Sequence, residues 1–275
     1  SSDLQELIFK FINIVFRWYE KSNFRVVINE TLVWDIKKLY NHIVVLKSDN
    51  EMRRNLVKIA VAIDGPAGAG KSTIAKLVGK EFNLMYINTG AMYRAVALKS
   101  KENNLGPEKI NGICSLINTM EMHFENDDLI LNGINIQDVI TTPEISNIVS
   151  NYASIKQVRE KLVKLQRDMS EKYDVIMDGR DIGTVVLKDA PFKFFLTASP
   201  EERANRRFKE LQNKNIECNY DQILEDIKKR DYIDSHRETD PLKKADDAIE
   251  IDSTNLDISG VVDVICENIR KSIDR

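Results

Sequence analysis

The sequence predicts an α/β fold: a parallel sheet flanked by helices, carrying a small antiparallel insert and an N-terminal αβ extension. Three observations predict it. From Lys58 onward, short and nearly all-apolar runs alternate with longer amphipathic segments, the pattern of parallel strands joined by helical crossovers. Between Met120 and Asp138 that rhythm gives way to alternating apolar and polar residues around an Asn-Gly pair, a hairpin signal. Residues 1–51 follow neither pattern.

Taken in order, the extension over residues 1–51 has a helical stripe of Leu4, Leu7, Ile8, Phe11, Val15 and Trp18. It also has a strand-like alternation at Phe24, Val26 and Ile28 and a short apolar run from Ile43 to Leu46. The expected core strands are Ile59–Ile63, Met85–Ile87, Val175–Met177, Phe192–Leu196 and Ala248–Ile251, each short and apolar as a strand buried on both faces should be. Ile74, Leu77, Val78 and Phe82 predict one core-facing helix, and Ile258, Val261, Val262, Ile265 and Ile269 another. In the insert, Met122 and Phe124 alternate, then Leu129 and Leu131, and Asn132-Gly133 turns the chain before Ile134 and Ile136. Thr141 or Thr142 is placed to cap a helix begun by Pro143.

Composition narrows the function classes. With 275 residues, 43% of them apolar, the chain can bury a real core. A net charge of -3 carries no footprint for binding a nucleic-acid backbone, so any anion site must be local. Cys114, Cys218 and Cys266 are far apart, and His42, His123 and His236 are the only histidines, so neither disulfides nor a metal cage is expected. The stretch from Leu7 to Tyr19 is interrupted by Lys10, Asn13 and Arg17, too short and too polar for a membrane span or a signal segment. A reducing, cytoplasmic setting is the expectation.

The first apolar strand runs into Asp64-Gly65-Pro66-Ala67-Gly68-Ala69-Gly70-Lys71-Ser72-Thr73, which fits GxxxxGK[ST] with strand, loop and helix in the required order. Such a loop lets successive backbone N–H groups curl round phosphate oxygens at the positive end of a helix. Lys71 adds a cation for the terminal phosphates and Ser72 a hydroxyl for Mg²⁺. This phosphate-binding loop announces a nucleoside triphosphate without saying what is done with it.

Further charged clusters follow later strands. The segment Asn88-Thr89-Gly90-Ala91-Met92-Tyr93-Arg94 leaves the second strand and places Thr89 and Arg94 at the sheet edge where α/β folds bind ligands. Val175–Met177 leads into Asp178-Gly179-Arg180-Asp181, with Asp178 in the place of an acid that holds the metal, directly or through water. Arg230, Asp234 and Arg237 are spaced as one helical face, which alone could equally be a solvated ion-pair ladder. Arg203, Arg206 and Arg207 suit a lid over a triphosphate.

With these segments in place, the chain from about Lys58 to Arg275 resembles the bacterial cytidylate kinases, the nucleoside monophosphate kinase branch that phosphorylates CMP and dCMP. The resemblance rests on GPAGAGKST, INTGAMYR, DGRDIGTVV, FFLTASPEERANRR and RDYIDSHRETDPL, in family order. It implies a phosphate-loop kinase domain over residues 58–275, with a substrate-side insert at about 120–150 and a lid at about 200–215. It further implies that Gly65 to Thr73 bind ATP, that Lys71, Arg180, Arg203 and Arg207 act in catalysis, and that Ser72 and Asp178 hold Mg²⁺. Arg94, Arg180 and Arg237 would hold the CMP phosphate, Arg230 and Asp234 meet the sugar, and Ser150, Arg159 and Asp181 read cytosine. Thr89 and Asp178 belong to the same CMP site. Asn88 and Thr89 depart from the family pattern, where an acid and a serine are common. Two rivals stay open at this point: a related kinase acting on UMP or another small acceptor, and a non-catalytic nucleotide-responsive module recruiting partners through residues 1–51. A monomer without nucleic-acid or membrane partners is expected, and residues 1–51, if a genuine unit, should dock on the kinase or on a partner, burying Phe11, Val15, Trp18 and Trp34. Met52 stands where a minimal kinase of this kind would begin, so catalysis is expected not to need residues 1–51.

Overall fold

The computed structural model describes residues 59–273; the expected extension over residues 1–51 lies outside the described residues. The described residues open with β1 (Ala60–Asp64), α1 (Lys71–Phe82), β2 (Met85–Asn88), α2 (Thr89–Glu102) and α3 (Ile110–Ile117). The insert follows as β3 (Met122–Glu125), β4 (Asp128–Leu131) and β5 (Ile134–Asn135), leading into α4 (Gln137–Ile140), α5 (Pro143–Ala153) and α6 (Lys156–Lys172). Then come β6 (Val175–Gly179), a π-helical turn (Ile182–Val186), β7 (Phe192–Thr197), α7 (Pro200–Asn213), α8 (Tyr220–His236), β8 (Ile249–Asp252) and α9 (Ile258–Ile273).

All five expected core strands form, in one parallel sheet of order β2-β6-β1-β7-β8. Burial on both faces explains the apolar character of β1, β2, β6 and β7, whereas in the edge strand β8 only Ile251 is buried. Val61 and Ile63 face Ile74 and Val78 of α1 and Val261, Ile265 and Ile269 of α9, while Ala62 faces the core built with α2, α5 and α6. The connection from β1 runs towards β2 and that from β6 towards β7, in opposite directions along the sheet. This switch opens a crevice at the carboxyl ends of β1 and β6.

The two helical stripes hold in part. Leu77 and Ile258 are exposed, at 44% and 52%, and Ala75, Gly79 and Cys266 take the buried positions beside their neighbours. At Gly79 a β-carbon would lie 3.0 Å from Ile176 Cγ2, so α1 lies too close to the sheet for a larger stripe. The insert is a three-stranded antiparallel sheet with two two-residue turns, Asn132-Gly133 as expected and Asn126-Asp127, which the pattern did not announce. All four turn residues have positive φ, 49° and 70° in one turn and 50° and 77° in the other, the twist that tight hairpins need. Pro143 does begin α5, but Thr142 caps it in position only: its hydroxyl donates to the Val139 carbonyl at 3.2 Å instead of accepting from the first turn.

Candidate active site

The phosphate-binding loop joins β1 to α1. At Gly65, φ is +146° and a β-carbon would lie 1.9 Å from the Leu196 carbonyl oxygen, so the loop passes directly over β7 and no side chain fits there. Gly70, with φ of 86°, turns the chain into α1 in the left-handed region. Lys71, the first residue of α1, is buried and donates from Nζ to the Pro66 carbonyl at 2.7 Å. Burial, reinforced by the nearby Arg180 guanidinium, pulls its ammonium pKa well below the ordinary lysine value.

Beside it, Ser72 Oγ donates to Asp178 Oδ2 at 2.8 Å, and the Tyr86 hydroxyl donates to Asp178 Oδ1 at 2.9 Å. Thr89 Oγ1 donates to the Asp178 carbonyl at 2.7 Å, tying the ends of β2 and β6 together. Asn88, the position that departs from the family pattern, caps α2 by accepting from Ala91 N at 2.9 Å.

A cleft opens from this point, and the residues expected around a second anion line it. Lys71, Arg94, Arg159, Arg180, Arg230 and Arg237 face Asp178, Asp181 and Asp234, six cations against three carboxylates. Arg180 Nε donates to Asp234 Oδ2 at 2.8 Å, Arg230 Nε lies 3.9 Å from the same oxygen, and Ser150 Oγ donates to Asp234 Oδ1 at 3.3 Å. Burial would raise the Asp234 pKa, but Arg180 and Arg230 outweigh it and hold the carboxyl below its usual range. Burial and Arg180 bring Arg230 down to about 10, and burial also lowers Arg94, whose buried Nε has no hydrogen-bond partner. A desolvated, unpaired guanidinium is costly, and an anionic ligand removes that cost.

Deeper in, Arg159 is 1% exposed, donates to Asp181 Oδ2, and lies over the Tyr93 ring at 5.5 Å. Burial pushes the Asp181 pKa up, against the pull of Arg159 and Arg237. Arg237 reaches Asp181 Oδ1 at 3.4 Å, but from outside the helix: α8 ends at His236 and Arg237 is extended at φ -63°, ψ 143°. The expected single helical face therefore holds for Arg230 and Asp234 and fails for Arg237, which arrives because the chain turns out of the helix.

Three of the sequence-selected arginines are not in the cleft, among them Arg206, which donates to Glu202 Oε1 at 3.0 Å and to Ser253 Oγ at 3.2 Å. Arg203 is buried behind the phosphate loop, donating to the carbonyls of Ala198 at 2.9 Å and Ala67 at 3.0 Å and to Asp231 at 2.7 Å. Arg207, half-buried on α7, pairs with Glu210 at 2.8 Å. The residues that sequence reasoning missed are Asp64, Tyr86, Tyr93 and Asp240. Asp64 alone carried a signal, as a carboxylate ending an apolar strand just before the loop. It accepts from Ile182 N at 2.8 Å and Gly183 N at 2.7 Å, and burial lifts its pKa to about 7. Among the described residues no cluster of three or more His, Cys, Asp or Glu could hold a metal, and no helix is long and apolar enough to cross a membrane.

Comparison with known proteins agrees with this geometry. The family model for cytidylate kinase matches residues 61–271. The chain is 67% identical over 213 residues to a cytidylate kinase of Clostridium perfringens, covering 78% of this chain and 98% of that protein. It is 61% identical over 217 residues to one of Clostridium acetobutylicum, covering 79% and 100%. A third, from Clostridium botulinum, is 54% identical over 216 residues, covering 78% and 100%. A phosphate-binding loop facing a second cationic cleft, in a chain matched by the family model along nearly all its described length, means that this protein belongs to the cytidylate kinase family.

Proposed function

We propose that the chain transfers the γ-phosphoryl group of ATP to the phosphate of CMP or dCMP, giving ADP and CDP or dCDP. The observation that carries this reading, together with family membership, is the cleft of six cations against three carboxylates opening directly off Lys71. ATP lies with its phosphates in the loop from Gly65 to Thr73, and the monophosphate lies in the cleft. An oxygen of the CMP phosphate attacks the γ-phosphorus in line as the bond to ADP breaks. The acceptor is already anionic near neutral pH, so no general base is required. The protein works by positioning and by spreading charge.

Arg94, Arg180 and Arg237 hold the acceptor phosphate, each with a planar fork suited to two oxygens at once. Arg230 and Asp234 meet the sugar, and Thr89 supports the ends of the two strands. Ser150, Arg159 and Asp181 read the base: cytosine offers an N4 amino donor where uracil offers O4, and a carboxylate favours the donor. Lys71 bears on charge developing at the transferred group. Ser72 Oγ and Asp178 Oδ2, 2.8 Å apart, form a hard oxygen pair that would hold Mg²⁺. That ion, when bound, neutralises charge on the β- and γ-phosphates. Arg207, whose hydrogen bond among the described residues is to Glu210, swings in from α7 on closure, whereas Arg203 braces the loop from behind through Ala67. The three unpaired cysteines support a reducing, cytoplasmic setting.

The test is an acceptor panel of CMP, dCMP, UMP and AMP in an ADP-release assay at saturating ATP. CMP and dCMP are expected to be used well and UMP poorly. Equal use of UMP would remove the base-reading assignment.

A further inference from the structure

Asp240 sits where the cleft's two deepest arginines converge, and the reading of the sequence assigned it no role. Its Oδ2 accepts from Arg159 Nε at 2.9 Å, and its backbone carbonyl accepts from Arg237 Nε at 2.7 Å and from Arg237 Nη2. Asp181 spans the same two arginines from the other side, through Oδ2 to Arg159 and Oδ1 to Arg237. Two aspartates and two guanidiniums thus close a ring in which each aspartate touches both arginines, Asp240 through its carboxylate to Arg159 and its backbone carbonyl to Arg237.

Asp240 can reach both only because its backbone is left-handed, with φ of 48°. In that conformation the carbonyl and the side chain serve different partners. An aspartate adopts it at modest cost, as most residues do not. The remaining fixings of Arg159 are the Ala153 carbonyl, at 3.1 Å from Nη1, and the Tyr93 ring. Of these only the Asp240 carboxylate engages Nε, so it sets the rotation of the guanidinium plane about the side-chain axis. Asp181, by contrast, lies in the cleft and must share its oxygens with any base that enters.

We infer that Asp240 is a positioning residue for acceptor selection. It holds the plane of Arg159 and the reach of Arg237 together, so that base reading and phosphate binding work as one unit when Asp181 turns to the nucleotide. The inference rests on the CMP kinase reading above, and the experiment separates the two. Steady-state kinetics are measured for the full-length wild type, Asp240→Gly and Asp240→Asn, with CMP and UMP as acceptors and with ATP varied independently. Glycine keeps the left-handed backbone and its carbonyl but removes the carboxylate; asparagine keeps an acceptor oxygen as well.

In the glycine variant the KM for CMP is expected to rise roughly tenfold and the preference for CMP over UMP to fall by a similar factor, the scale of a lost hydrogen bond to a charged group. The KM for ATP and the kcat with CMP stay close to wild type. Asparagine is expected to restore KM and preference most of the way. Should glycine fail to fold, Asp240→Ser, too short to reach Arg159 Nε, takes its place with the same expectation. Wild-type KM and preference in the carboxylate-free variant overturn the inference while leaving the kinase reading intact, and so does an asparagine variant as impaired as the glycine one. A wild-type protein that does not phosphorylate CMP overturns the reading itself and the inference with it.

Discussion

Lys71 lies in the cleft beside Arg180, and burial together with that guanidinium lowers the lysine's affinity for a proton. Lys71→Ala is therefore expected to lower kcat by two to three powers of ten, about the effect of removing one transition-state donor, with an unchanged circular dichroism spectrum. Arg180→Ala leaves Asp234 without its 2.8 Å partner and removes one of the three arginines proposed to hold the acceptor phosphate. Its kcat/KM for CMP should fall by roughly 30-fold or more, whereas Lys271→Ala, an exposed helix pair with Glu267, should change little at the same ionic strength. Asp64 makes a pH-dependent contribution. Its folded pKa, about 7, lies above the unfolded value of 3.8, so its contribution to stability is fully present below pH 4 and is lost as the pH rises through 7. Measured by urea unfolding against Asp64→Asn, the wild type should lose up to roughly 4 kcal/mol over that interval and show no further change above it. A flat difference would mean that the two backbone donors keep Asp64 ionised throughout.

Among the elements, α2 shows how a capping residue ties fold to site. Asn88 is the last residue of β2 and the cap of α2, the helix that carries Arg94. Asn88→Ala should cost about 1–2 kcal/mol of stability in thermal or urea unfolding, and it should weaken CMP binding through the misplaced first turn. Apolar runs disclosed strands such as β1 and β6 because both their faces are covered, while the exposed β5 was marked only by the Asn-Gly turn before it. The helix stripes were legible only where no neighbour came close. Leu77 has ordinary stripe spacing yet points to solvent, because Gly79 brings α1 against Ile176 and rotates the buried face towards Ala75. The Asn126-Asp127 turn was missed because an Asn-Asp pair has many uses, and only the paired register of Glu125 with Asp128 makes it a hairpin.

At the scale of the whole molecule, every residue with an assigned role lies within 64–240, and the Clostridium acetobutylicum relative is matched over 100% of its length by 79% of this chain. We expect a chain beginning at Met52 to keep most of its kcat/KM for CMP; a folded but inactive product would give residues 1–51 a catalytic role. The sequence by itself determined the five core strands, the hairpin insert, the helices α1 and α9, the phosphate loop and the strand-end charges, because these depend on periodicity and on short motifs whose geometry is local. It could also place Arg94 and Arg180 at strand ends where an anion binds, whereas the spacing of Arg230, Asp234 and Arg237 alone could equally be a solvated ion-pair ladder. Tertiary structure alone decided the rest. Arg203 has the same local surroundings as Arg207, yet its contacts with Ala67 and Asp231 come from segments 136 and 28 residues away and take it out of the cleft. Asp240 enters the site because its backbone turns left-handed after α8 and meets Arg159, 81 residues earlier in the chain. Contacts between distant segments form only where the folded sheet brings their ends together, and no spacing along the chain records them.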